Sequence, residues 1–182
     1  MPVDLRRTTL VVRDIERSLP LYRDALGFKV IYDEKIGPGP DPAGKLQPPT
    51  VRLVLLRAND DFIGVLGLMQ RLTAAPSPAP VFQKAQAGDT ILVINVADLD
   101  TRFARVRATP HVKVADEPER VEYPAPGGQG TIPVLFSAVW DADGNFIELN
   151  KILGTPAGQK RSADPPASRP ATRPPDQPPT SP

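Results

Sequence analysis

Residues 10–28, LVVRDIERSLPLYRDALGF, decide the fold because they contain a complete strand-to-helix unit. The β-branched run over residues 5–12 is typical of a strand. Asp14 is a suitable N-cap, apolar residues recur at helical spacing after it, and Gly27 is the residue expected to end the helix. Pro20 lies within this stretch, so the helix either starts later than Asp14 or bends at the proline.

The same unit returns 84 residues further along the chain. Residues 10–16 (LVVRDIE) overlay residues 94–100 (INVADLD), which predicts a strand over 90–96, an N-cap at Asp98 and a helix over 99–108. Strand candidates follow each helix: 28–33, 51–57 and 62–69 after the first, and 112–115, 132–140 and 146–151 after the second. The order βαβββ therefore occurs twice, which predicts an α+β fold of two tandem modules.

This repeat sets the domain boundaries. We expect one domain over residues 1–153, with a first module at about 3–70, a linker over 71–87 and a second module at about 88–153. The remaining residues, 154–182, are rich in proline and lack hydrophobic periodicity. They cannot bury enough apolar surface to offset their ordering entropy, so we predict a disordered tail.

Composition excludes several classes of function. Lys and Arg total 22 against 21 Asp and Glu, so no basic field draws the chain to nucleic acid or to a membrane surface. No apolar run is long enough to span a bilayer, and the first residues lack the apolar region of a signal peptide, which predicts a cytoplasmic protein. Cysteine is absent, and we expect the one histidine, His111, to be a surface residue.

Residues 11–28 and residues 141–149 (DADGNFIEL) carry a resemblance to a known family. In the second segment a tight turn at Gly144 leads into a strand on which Phe146, Glu148 and Asn150 share one face. With the repeat between them, the two segments resemble the glyoxalase, bleomycin-resistance and extradiol-dioxygenase group, the vicinal-oxygen-chelate superfamily. The resemblance implies that the two modules form a cupped mixed β-sheet.

The resemblance also implies where a metal would sit. In metal-using members, the first and last strands of each module supply four His, Glu or Gln ligands inside the cup. Matched position by position, three of these places are held by Arg7, Gly67 and Ile91, and only Glu148 fits the pattern. We therefore predict no metal and no cofactor. The alternative is a divalent metal with Glu148 as its sole retained protein ligand.

The cup implied by the resemblance gives the candidate site. Arg7 either pairs with Glu148 there or anchors an anionic group of a ligand. Glu148 is the candidate catalytic residue. The candidate ligand-binding residues are Arg7, Phe136, Trp140, Phe146 and Tyr123. The aromatic residues on the strands could equally be ordinary core residues.

Three functions remain open. The first is binding of a small organic molecule, anionic or aromatic, without metal, as in the drug-sequestering branch of the family. The second is a lyase, isomerase or dioxygenase-like enzyme that uses Glu148 as a base and Arg7 to stabilise developing negative charge. The third is an interaction module whose Pro-rich tail recruits a partner. The modules could pair within one chain or across a two-fold homodimer, since relatives do both.

Overall fold

The computed structural model describes residue 3 and residues 5–59, 64–75, 77–128 and 130–154. The predicted tail lies outside the described residues apart from Gly154. The first two residues of the strand candidate at 62–69 also lie outside them.

The two modules repeat one order of elements. The first module contains β1 (Arg7–Val12), α1 (Ile15–Leu19), a π-helical segment (Pro20–Ala25), β2 (Lys29–Ile36), β3 (Val51–Arg57) and β4 (Val65–Arg71). The second contains β5 (Ile91–Asn95), α2 (Leu99–Ala108), β6 (Lys113–Pro124), β7 (Thr131–Trp140) and β8 (Phe146–Ile152). The predicted α+β fold of two tandem βαβββ modules is confirmed.

Each module forms its own four-stranded mixed sheet. The strand orders are β1-β4-β3-β2 and β5-β8-β7-β6. In both sheets the first strand of the module runs parallel to the last, and the other pairs are antiparallel. The parallel pair therefore places the first and last strands of each module side by side.

The first helix begins and ends as its sequence predicts. Asp14 accepts a hydrogen bond from the backbone N–H of Glu16 at 3.0 Å, and Gly27 adopts a φ of 77°, which favours glycine. Pro20 neither delays the start nor breaks the helix. The chain instead widens into the π-helical segment, in which the N–H of Leu26 bonds to the carbonyl of Leu21.

The second helix begins after Asp98, as predicted, but without a side-chain capping hydrogen bond. The carboxylate of Asp98 instead accepts from the guanidinium of Arg102, one turn along, with Nε–Oδ1 at 2.9 Å. A guanidinium offers two donors in a fork that suits a carboxylate, and here it takes the place of the backbone N–H groups.

The sixth strand is much longer than the predicted 112–115. β6 continues to Pro124 and pairs with β7 along its length, with register shifts between Val114 and Asp116 and between Asp116 and Glu119. It lies at the edge of its sheet, where charged residues, bulges and a proline are tolerated. Many side chains of β6 are charged and face the solvent. The sequence therefore lacks the alternation of apolar and polar residues that would predict a strand there.

One hydrophobic core holds both modules. Buried residues of α1 and α2, such as Leu19 and Phe103, pack with the faces of the two sheets that carry Leu68 and Leu149. Side chains alternate along a strand, so the residues between these core positions lie on the opposite face. We call that opposite face of each sheet the helix-free face.

The two signature segments of the sequence contact each other across the modules. The buried hydroxyl of Tyr22 donates to Asp141 Oδ2 at 2.8 Å. Burial, together with the negative charge of Asp141, raises the pKa of Tyr22 well above its usual value. Nearby, Arg13 Nε donates to Asp143 Oδ1 at 2.7 Å. Residues 11–28 and 141–149 therefore form one of the contacts that join the two halves of the chain.

Candidate functional site

On the first sheet, the side chain of Arg7 lies close to Gly67, one of the positions where the resemblance implies a metal ligand. Arg7 and Thr9 lie on the helix-free face of β1, and Gly67 pairs with Thr9 on the neighbouring β4. A Cβ at Gly67 would lie 2.7 Å from Thr9 Oγ1 and 3.3 Å from Arg7 Cδ. Glycine is required here because its neighbours already occupy the space that a larger side chain would need.

The second sheet repeats this geometry with different residues. Ile91 pairs with Phe146 and Val93 pairs with Glu148, all on the helix-free face. Glu148 thus lies two residues beyond Phe146, the strand partner of Ile91. In the same way, Gly67 lies two residues beyond the strand partner of Arg7. The structural equivalence of the two modules therefore agrees with the alignment that the repeat suggested.

Arg7 and Glu148 are not paired with each other. No hydrogen bond or ion pair among the described residues joins Arg7 to Glu148, so the ion pair considered from the sequence does not form. Arg7 is exposed, and Glu148 is half-buried with no hydrogen-bond partner in the part of the chain that the structure describes. The two residues thus lie on different sheets without a direct polar contact.

Three aromatic rings pack at one end of the second helix-free face. Phe146 and Phe82 each meet the ring of Trp140 edge to face, with centroids 5.7 and 6.3 Å away. Trp140 Nε1 also donates to the carbonyl of Gln83 at 3.0 Å. The linker between the modules therefore covers Trp140, which was predicted as a pocket wall. Phe82 was missed because its Pro-rich surroundings gave no periodic signal.

The other two aromatic candidates lie further along the same face. Phe136 on β7 pairs with Asn150 on β8, and Tyr123 lies near the end of β6. Desolvation, and then the negative charge of Glu148, raise the pKa of Tyr123 above its usual value. The Glu148 carboxylate is therefore near enough to the Tyr123 hydroxyl for its charge to affect the pKa of the phenol. Phe136, Tyr123 and Glu148 lie on one face.

Two cavities lie beside the junction of the modules. One, of about 590 Å³, is on the helix side and is lined by residues that include Phe28, Leu66 and Arg102. The other, of about 370 Å³, lies between β1, the linker and the start of β8, where Phe146 lines it. Neither is lined by Arg7, Gly67, Ile91 or Glu148.

The fold and the sequence together identify the family. The family model of the glyoxalase, bleomycin-resistance protein and dioxygenase superfamily matches residues 4–149. The chain belongs to this superfamily. No curated protein matches the sequence.

Solved structures agree with this membership. A glyoxalase family protein from Bacillus cereus is 16% identical with a TM-score of 0.62, covering 85% of this chain and 97% of that one. The trypanothione-dependent glyoxalase I of Leishmania major is 22% identical with a TM-score of 0.55, covering 82% and 87%. A glyoxalase I variant from Zea mays is 22% identical with a TM-score of 0.50, covering 81% and 45%. At these identities the likeness concerns the fold alone.

The superfamily's metal does not fit the residues at its usual place. Of the four positions, only Glu148 carries a metal-ligating group, and the cationic Arg7 would repel a cation. The position opposite Thr9 cannot take a carboxylate without moving Thr9 and Arg7. Among the described residues, no group of three or more His, Cys, Asp and Glu could hold a metal ion. The described residues therefore do not match the ligand set of the metal-using members.

His111 is an exposed residue in the turn that follows α2. His111 has a φ of 68°, and its Nδ1 lies 3.2 Å from a guanidinium nitrogen of Arg17 at the exposed start of the loop before β6. It lies outside the aromatic and acidic residues described above. No helix in the described ranges is long and apolar enough to cross a membrane.

Proposed function

We propose that the chain binds a small organic molecule on its helix-free faces, with Glu148 as the principal polar contact and no resident metal. The proposal rests on the burial of Glu148 and on its lack of a hydrogen-bond partner among the described residues. Its carboxylate is half-buried on the central strand β8, yet no described residue hydrogen-bonds to it. Removing a carboxylate from water without a partner costs free energy, so the position is best explained by a ligand that binds it.

The surroundings of Glu148 suit an aromatic or otherwise apolar ligand. Val93, next to Glu148 in the sheet, is 59% exposed, and Tyr123 is 42% exposed. Phe136 shares their face. Binding sites for small molecules combine apolar walls with a few polar groups that fix orientation, and this face has that composition.

A screen with a conservative variant tests this proposal. Small aromatic compounds are titrated against the protein while melting temperature and the fluorescence of Trp140, the one tryptophan, are recorded. A ligand that binds only the native state must raise the melting temperature. Glu148→Gln keeps the side-chain shape and removes the charge, so the stabilisation should fall. If Glu148→Gln leaves the response to every bound compound unchanged, the proposed site is wrong.

A second copy of the chain is the partner that best completes this site. Large apolar side chains are exposed on both helix-free faces, among them Val11 on β1 at 57% and Val93 on β5. Apolar surface of this kind, lying on two separate faces, is expected to be covered in an assembly. We propose a two-fold homodimer in which the faces of two copies approach one another. Analytical ultracentrifugation should give twice the mass of the chain, and a monomer at all concentrations would refute the dimer.

An enzymatic activity is the second candidate function. It is favoured by the same Glu148 carboxylate, which is available to accept a proton. A base must be free to accept a proton, and no described residue engages Glu148. Tyr123, whose pKa is raised by desolvation and by the charge of Glu148, would remain protonated near neutral pH and could donate to an enolate-like oxygen. Exchange of deuterium into the α-position of a bound carbonyl compound would support this role. Equal exchange in Glu148→Gln would exclude it.

A further inference from the structure

Asn150 is a buried polar residue whose side-chain oxygen has no hydrogen-bond partner. It follows Glu148 by two positions on β8 and shares its helix-free face. Only 9% of its surface is exposed, and its side-chain oxygen Oδ1 is buried without any hydrogen bond. The backbone carbonyl of Asn150 is satisfied, since it accepts from the N–H of Val96 at 2.7 Å. The unpartnered group is therefore the side-chain carbonyl alone.

An unpartnered buried carbonyl is rare and calls for an explanation. Native proteins pair the large majority of buried polar groups because an unmade hydrogen bond leaves the desolvation cost uncompensated. Leucine has nearly the same shape and would avoid that cost. The polar residue is therefore explained by something other than the stability of the chain, and a ligand donor is the simplest such explanation.

The neighbours of Asn150 determine what kind of donor fits. Glu148, two residues before Asn150 on the same face of β8, is also an acceptor without a described hydrogen-bond partner. Phe136 lies directly across from Asn150 on β7 and supplies an aromatic wall. Arg7, the cation considered for this site, lies on the other sheet and makes no hydrogen bond or ion pair with Glu148. The two groups left without a partner, the Asn150 side-chain oxygen and the Glu148 carboxylate, both accept hydrogen bonds, so the ligand that would satisfy them is one that donates.

We propose that Asn150 and Glu148 together bind a protonated amine carried by an apolar or aromatic body. The ammonium donates to Asn150 Oδ1 and to the Glu148 carboxylate, while the body packs on Phe136. This inference rests on the proposed function and adds the chemical class of the ligand. It also makes Asn150 a specificity-determining residue, although no sequence motif distinguishes it.

Three probes of equal size separate the alternatives on the unmodified protein. 2-Phenylethylamine carries an ammonium, 2-phenylethanol a neutral donor and acetophenone an acceptor alone. Isothermal titration calorimetry should rank the amine tightest and acetophenone weakest, with about tenfold between these two, because hydrogen bonds to charged groups are the stronger ones. Acetophenone binding as tightly as the amine would overturn the inference. Failure of all three probes to bind would overturn the proposed function with it.

Two variants then assign the effect to its residues. Asn150→Leu should weaken amine binding about tenfold and at the same time raise the melting temperature, because the uncompensated carbonyl is removed. Asn95→Leu is the matched control for stability, since Asn95 is the exposed partner of Asn150 in the sheet and should give no such rise. Glu148→Gln should reduce the preference for the amine over the alcohol. Amine affinity unchanged in Asn150→Leu, or unchanged preference in Glu148→Gln, would refute the assignment.

Discussion

The hydrogen bond between Tyr22 and Asp141 should be a main link between the modules, and Tyr22→Phe tests it. Both groups are fully buried, and the hydroxyl donates to the carboxylate at 2.8 Å. Hydrogen bonds to charged groups contribute about 1.5–3 kcal/mol to stability. In a domain of this size each kcal/mol shifts the melting temperature by about 2–4 °C, so we expect a fall of about 3–12 °C.

The loss should stay within that range because Asp141 keeps other donors. Its carboxylate also accepts from the backbone N–H groups of Asp143 and Asn145, each at 2.9 Å. Urea unfolding of Tyr22→Phe measures the loss, and Tyr32→Phe, at an exposed tyrosine, is the matched control. A Tyr22→Phe variant as stable as Tyr32→Phe would show that the link carries little of the stability.

Three further predictions concern the site and its surroundings. Arg7→Ala should weaken binding of a ligand that carries an anionic group. It should leave the melting temperature nearly unchanged, because Arg7 is exposed. A large loss of stability with intact binding would refute the role of Arg7 in binding. Metal analysis of the purified protein should find no stoichiometric zinc, nickel, manganese or iron, and one equivalent of any of them would contradict the account. Asp33→Asn should destabilise the protein slightly at pH 7, because the hydrogen bond from Arg52 lowers the pKa of Asp33. The contribution of a carboxyl with a lowered pKa is lost as the pH falls, so the two proteins should converge below about pH 4, whereas a gap that widens in acid would refute the pairing.

The fold could be predicted from the sequence where the pattern is strong and local. Residues 10–28 contain a cap, a helical period and a terminal glycine, and the repeat extends the same reasoning to the second module. β6 could not be predicted over its whole length, because an edge strand rich in charge has no apolar alternation. Asp98 is the N-cap residue as predicted, but its side chain does not cap the helix, because Arg102 binds its carboxylate instead.

The site could be predicted only in part, because its decisive features depend on distant contacts. The sequence selects Glu148 through its turn and strand, and it places Phe146 on the same face as Glu148. It does not show that Phe82 of the linker packs on Trp140, since no local pattern connects them. Nor does it distinguish Asn150 from any other polar strand residue, because only the folded chain shows that its carbonyl is buried without a partner.

A structure with an aromatic amine bound tests the central claim most directly. We expect the ammonium within hydrogen-bond distance of Glu148 and Asn150, and the ring against Phe136 on the helix-free face of the second sheet. An amine lodged instead in the 590 Å³ cavity on the helix side, beside Phe28 and Leu66, would contradict the account.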